Sequence, residues 1–129
     1  MKYLLICVFL HPVFALNYSE DISPIIYENC TNCHRAGQIG AFLPLTSYEE
    51  VFNNREWIAY AIVGDEERHG EPIMPPWPPD REYSTFIEER YLTENEIHII
   101  LDWIVEGASQ GDPYSEYPMP DFPEGSAIG

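Results

Sequence analysis

Residues 30–34 read Cys30-Thr31-Asn32-Cys33-His34. Two cysteines three apart, followed at once by a histidine, form the attachment pattern of a c-type haem. The spacing follows from the chemistry. Two thiols on one turn add to the two vinyl groups of a single porphyrin, and the next residue is carried under the ring as the proximal iron ligand. Other uses of Cys-x-x-Cys need partners. A thioredoxin-like dithiol expects a βαβ pattern around it, and a structural zinc site expects a second pair of ligands. The chain supplies neither, since its third cysteine is Cys7.

Cys7 lies in the apolar run Tyr3-Leu4-Leu5-Ile6-Cys7-Val8-Phe9-Leu10, preceded by Lys2 and followed by Val13-Phe14-Ala15. That order reads as a secretory signal peptide over residues 1–15, and so as an exported protein, periplasmic or secreted. Haem c is assembled outside the reducing cytoplasm, so export and motif support each other. Nothing approaches the 18 or so consecutive apolar residues of a membrane span. Beyond the signal the chain keeps five basic residues, all arginines, against 22 carboxylates, a net charge of −17. Such a surface excludes nucleic acid and anionic membranes as partners. It serves solubility, or steers the protein toward a basic face on a redox partner.

Outward from the motif, helical signals dominate. Ser19-Glu20-Asp21 offers an N-cap and an acidic first turn, and Pro24 is tolerated in that turn, so a helix from about residue 20 delivers the cysteines. Residues 35–46 read as a loop. Gly37 and Gly40 supply turn freedom, Phe42-Leu43-Pro44-Leu45 is apolar enough to lie against a ring, and a carbonyl near Pro44 is the candidate acceptor for the second ring N–H of His34. Ser47 and Glu50 fit a capping box ahead of a helical stripe that Gly64 ends. Arg55 interrupts that stripe. It snorkels to solvent or pairs with a haem propionate.

Residues 65–80 are too rich in proline for helix or central strand. Ile73, Met74 and Trp77 within them call for an apolar surface. Met74 is the first candidate for the distal iron ligand, a soft thioether that raises the potential. His69 among its acidic neighbours, and Met119 in Tyr-Pro-Met-Pro, are rivals. Thr93-Glu94-Asn95-Glu96 is a second capping box, leading a helix whose stripe runs Ile97, Ile100, Leu101, Ile104, Val105, with Trp103 at its margin and Gly107 as the stop. From Ala108 onward no period survives, and residues 108–129 read as an extended tail or linker.

This arrangement resembles a class I-like monohaem cytochrome c. The runs Cys30 to Phe42, Thr46-Ser47-Tyr48-Glu49, Met74-Pro75-Pro76-Trp77, Leu92 to Glu96 and Gly107 to Asp112 resemble more closely a bacterial haem c domain. That domain often stands N-terminal to copper type II, ascorbate-dependent-monooxygenase-like regions, and Asp121 to Gly125 resembles the linker that leads into them. The chain departs from the pattern at Ala36 and Gly40-Ala41, where prolines are commoner. The resemblance implies an all-α fold of three to four short helices around one covalent haem c, with a domain over 16–113 and a tail over 114–129. It implies thioethers at Cys30 and Cys33, His34 proximal and Met74 distal. Phe42, Leu43, Pro44, Arg55, Ile73 and Trp77 would complete the cofactor's surroundings. The expected role is electron carriage to an exported redox partner rather than catalysis by the domain itself. A second reading leaves the iron site open for catalysis or gas binding, with His69, Glu67 and Glu71 as its polar groups. A third is a haem-free dithiol module.

Overall fold

The computed structural model describes residues 15–64, 67, 70–76 and 91–122. Among them the regular structure is helical, with no strand. One π-helical turn, Tyr18–Ile22, runs directly into α1 (Ser23–Asn29), and α2 (Tyr48–Asn53), α3 (Arg55–Val63) and α4 (Glu94–Val105) follow. A 3₁₀ turn covers Pro113–Ser115.

The first helical segment starts earlier than its sequence suggests. Asn17, not Ser19, is the cap: its side chain accepts from the N–H of Glu20. Ser19 is fully buried instead, its hydroxyl donating to the Gln110 carbonyl at 2.9 Å. Pro24 falls at the start of α1, where its missing N–H costs nothing.

The expected helix over 48–63 is two helices. Asn54 stands between them at φ −108°, ψ 9°, its side-chain amide donating to the Glu50 carbonyl at 2.8 Å. A short polar side chain that takes a helix carbonyl competes with the backbone ladder, and the axis restarts at Arg55. Gly64 ends α3 as expected, at φ +79°. A Cβ there would also stand 2.3 Å from the Glu71 carbonyl oxygen, so the position excludes side chains twice over.

The core joins the π-turn and α1 to α4 and α2. Tyr18, Ile22, Ile26, Val51, Ile100 and Trp103 are all but sealed from solvent. Each large apolar side chain so buried contributes about 1.5–3 kcal/mol of transfer free energy. The ring of Tyr18 sits 5.4 Å from Tyr48 and 6.2 Å from Trp103. Trp103 is therefore central rather than marginal. The buried seam of α4 runs Ile97, Ile100, Trp103, Ile104, at i+3 and i+4 steps. Val105, five residues beyond Ile100, has turned away and is 85% exposed.

The segment after α4 is extended but fastened. The Ser109 carbonyl accepts from the N–H of Tyr18 and from Trp103 Nε1, both at 2.9 Å. The Gln110 carbonyl takes the N–H of Ser19, and Tyr117 N–H donates to Ser19 O and Ser23 Oγ. No helix of the described residues is long and apolar enough to cross a membrane.

Candidate functional site

Cys30 is the residue that closes α1, its N–H donating to Ile26 O at 2.8 Å. The chain then tightens. Cys33 N–H and His34 N–H both return to the Cys30 carbonyl, at 3.1 and 2.9 Å. Thr31 is fully buried, and its hydroxyl donates to Tyr27 O at 2.6 Å, tying the turn to the last turn of α1. Cys30 and Cys33 thus lie on one turn, both free thiols. Burial, with a smaller contribution from Cys33, pushes the Cys30 thiol up to about 12.

His34 is buried, and Nδ1 lies 2.9 Å from the Leu43 carbonyl. A carbonyl only accepts, so Nδ1 must carry the proton, and Nε2 is left with its lone pair for a metal. The acceptor is one residue before Pro44. The loop that presents it is closed on itself: Leu45 N–H donates to His34 O at 3.0 Å and Gly40 N–H to Cys33 O at 2.9 Å. Gly40 does not act through turn freedom. A Cβ on it would stand 2.8 Å from both His34 Nδ1 and Cys33 O, so its bare Cα is what lets the loop lie flat on the imidazole.

Phe42 meets the His34 ring edge-on at 6.4 Å between centroids yet is 83% exposed, and Ile39 beside it is exposed as well. Leu43 packs against the core and Pro44 is half-buried. Ile73 and Met74, both half-buried, hang on α3: their N–H groups share the Ala61 carbonyl at 2.8 and 2.9 Å. That carbonyl belongs to the last turn of α3 and has no helical donor of its own. The Met74–Pro75 peptide bond is cis. Trp77 and His69 lie outside the described residues. Met119 is part-exposed on the C-terminal segment.

Arg55, at the start of α3, folds back on the last turn of α2, donating to Phe52 O at 2.8 Å and lying 4.4 Å from the Phe52 ring centre. Glu56 is 3.9 Å away. Two residues not singled out in the sequence also bear on the site. Arg35 binds the turn from outside, and Phe122 stacks on Arg35. Arg35 was legible as a neighbour of the motif; nothing in the sequence brings Phe122 to it.

No family model matches the chain, and neither the curated proteins nor the solved structures contain a match. Among the described residues no group of three or more His, Cys, Asp or Glu side chains is set to hold a bare metal ion.

Proposed function

We propose that this domain carries one covalent haem c and passes single electrons to and from an exported redox partner. The observation that carries the reading is the imidazole of His34, fixed by Leu43 O in the tautomer that frees Nε2, directly behind two free thiols on one turn. This donor set fits the group. Cys30 and Cys33 would hold it through thioethers, His34 would be the proximal ligand, and Met74 the distal one. Bound there, the haem supplies a one-electron Fe(III)/Fe(II) couple whose potential a thioether ligand raises.

The chain's own residues do the rest. Leu43 O holds the proton on Nδ1 and increases the basicity of Nε2. Leu43 and Pro44, half-buried on the loop that holds His34, and Ile73 would on this reading shield the group from water, and a low local dielectric favours the less charged ferrous state. Exposed Ile39 and Phe42 leave an apolar rim at which a partner can approach. Reactive Cys-x-x-Cys pairs work through a lowered thiol pKa, and burial drives Cys30 the other way.

The test is the absorption spectrum of protein from a host that matures haem c. Covalent haem with the weak long-wavelength band of methionine on ferric iron is expected, and Met74→Ala should lose that band. Ready binding of carbon monoxide or cyanide to the unsubstituted protein would instead favour an open site. Absence of covalent haem would overturn the proposal.

A further inference from the structure

Arg35 follows His34 and is one of the few cations in an acidic chain, yet among the described residues it makes no ion pair. Its Nη1 donates to Thr31 O at 3.0 Å, to Asn32 O and to Asn32 Oδ1 at 3.2 Å. Thr31 and Asn32 are the two residues between the cysteines. The guanidinium carbon also stands 3.8 Å from the centre of the Phe122 ring. A guanidinium stays charged at any ordinary pH and presents several donors in one plane, so it gathers clustered oxygens at its edge while offering its face to a ring. Phe122 arrives on the segment already fastened to the π-turn and α1 through Ser109, Gln110, Glu116 and Tyr117. The C-terminal segment therefore runs from the end of α4 to the outer side of the Cys30–Cys33 turn.

We propose that Arg35 is a positioning residue for this turn: it fastens the Thr31–Asn32 bridge between the cysteines and hooks the C-terminal segment to it through Phe122. The inference rests on the haem reading above. With the bridge fastened, both sulfurs keep one spacing toward the porphyrin. The fixed positive charge beside His34 favours the ferrous over the ferric state and so raises the potential. Lysine would keep the charge but not the planar fork.

The experiment compares the full chain with Arg35→Ala, Arg35→Lys and Phe122→Ala, all made in a host that matures haem c. Three quantities are read: the fraction carrying covalent haem by intact mass, the midpoint potential, and the rate of limited proteolysis within the C-terminal segment. Arg35→Ala is expected to lose several-fold in haem fraction, to shift to lower potential and to be cleaved several-fold faster. Arg35→Lys should keep the potential without regaining the haem fraction or the protection. Phe122→Ala should be cleaved faster with its potential kept. Wild-type haem fraction, potential and proteolysis in Arg35→Ala would overturn the proposal, as would unchanged proteolysis in Phe122→Ala. Should Arg35→Ala not fold, the other two variants decide. Should the unsubstituted chain carry no covalent haem, the haem reading fails by itself, and equal proteolysis of all four chains overturns the hook.

Discussion

A hydrogen atom in place of a methyl group at Gly40 leaves the room in which the His34 imidazole and the Cys33 carbonyl stand. Gly40→Ala puts a carbon 2.8 Å from each, against a backbone carbonyl on one side and, on the other, an imidazole held by the Leu43 carbonyl. The expected cost is about 1–3 kcal/mol, the usual range for overpacking. Thermal unfolding reads it, and on the haem reading proposed above a disturbed methionine–iron band in the same variant would locate the strain at the ligand. Unchanged stability and spectrum would show that the loop simply lifts. A second prediction belongs to Tyr27, whose hydroxyl donates to Glu116 and receives from Tyr18. Burial, then the bond to Glu116, raises its pKa from 10.0 to about 12, and burial raises Tyr18 further. Below pH 10 both rings keep their protons whether the chain is folded or not, so their contribution to stability is whole. From pH 10 toward about 12 the unfolded chain releases protons that the folded chain retains, and stability falls. Circular dichroism should show helix lost in that window, with part of the tyrosinate absorbance appearing only as the helix goes. A helix signal flat to pH 12 would refute the assignment.

Among the elements, α4 was the one most plainly written in the sequence. Thr93 and Glu96 form the reciprocal box: Thr93 Oγ1 accepts from Glu96 N–H at 3.2 Å and Glu96 Oε2 accepts from Thr93 N–H at 2.7 Å. Thr93→Ala should cost about 1 kcal/mol by denaturant unfolding. No measurable change would mean that α4 is held by its packing alone. The start of α2 looks the same in sequence and differs in detail. Ser47 caps Glu50 N–H, but the Glu50 carboxylate reaches past it to Thr46 N–H and Oγ1, at 2.7 and 2.8 Å. Local signals of this kind were readable because their partners lie three or four residues apart. Asn54 was not readable as a break, since a helix tolerates asparagine until its amide turns on the preceding turn. The order of the site was legible for the same local reason, from Cys30 to Leu43, within one loop's reach. The roles of Ser19, Trp103 and Phe122 were hidden because each depends on a residue far along the chain. Periodicity says which face of α4 is apolar; it cannot say that an indole there will meet the ring of Tyr18.

For the molecule as a whole, the segment after α4 behaves as a structural strap. A chain ending at Ala108 would leave Tyr18 N–H, Ser19 N–H and Trp103 Nε1 without their acceptors. Each such buried loss costs about 1–3 kcal/mol, against a total stability of about 5–15 kcal/mol for an ordinary domain. Helix content near room temperature is expected to collapse in that truncation, whereas a chain ending at Asp112, which keeps Ser109 and Gln110, should lose far less. Equal melting temperatures for the two would show that the strap is ornamental. The bond from Ser19 to Gln110 also spans 91 positions of sequence. Polypeptides are made N-terminus first, so α1 and the turn behind it exist while the strap is still unmade. Roughly 75 residues separate His34 from Ser109, which at about 5–20 residues per second amounts to several seconds of synthesis. During that interval Tyr18 N–H and Ser19 N–H stand without the carbonyls of Ser109 and Gln110 that they donate to in the finished fold. The order of synthesis thus leaves the first helical segment incomplete until the strap emerges and closes it.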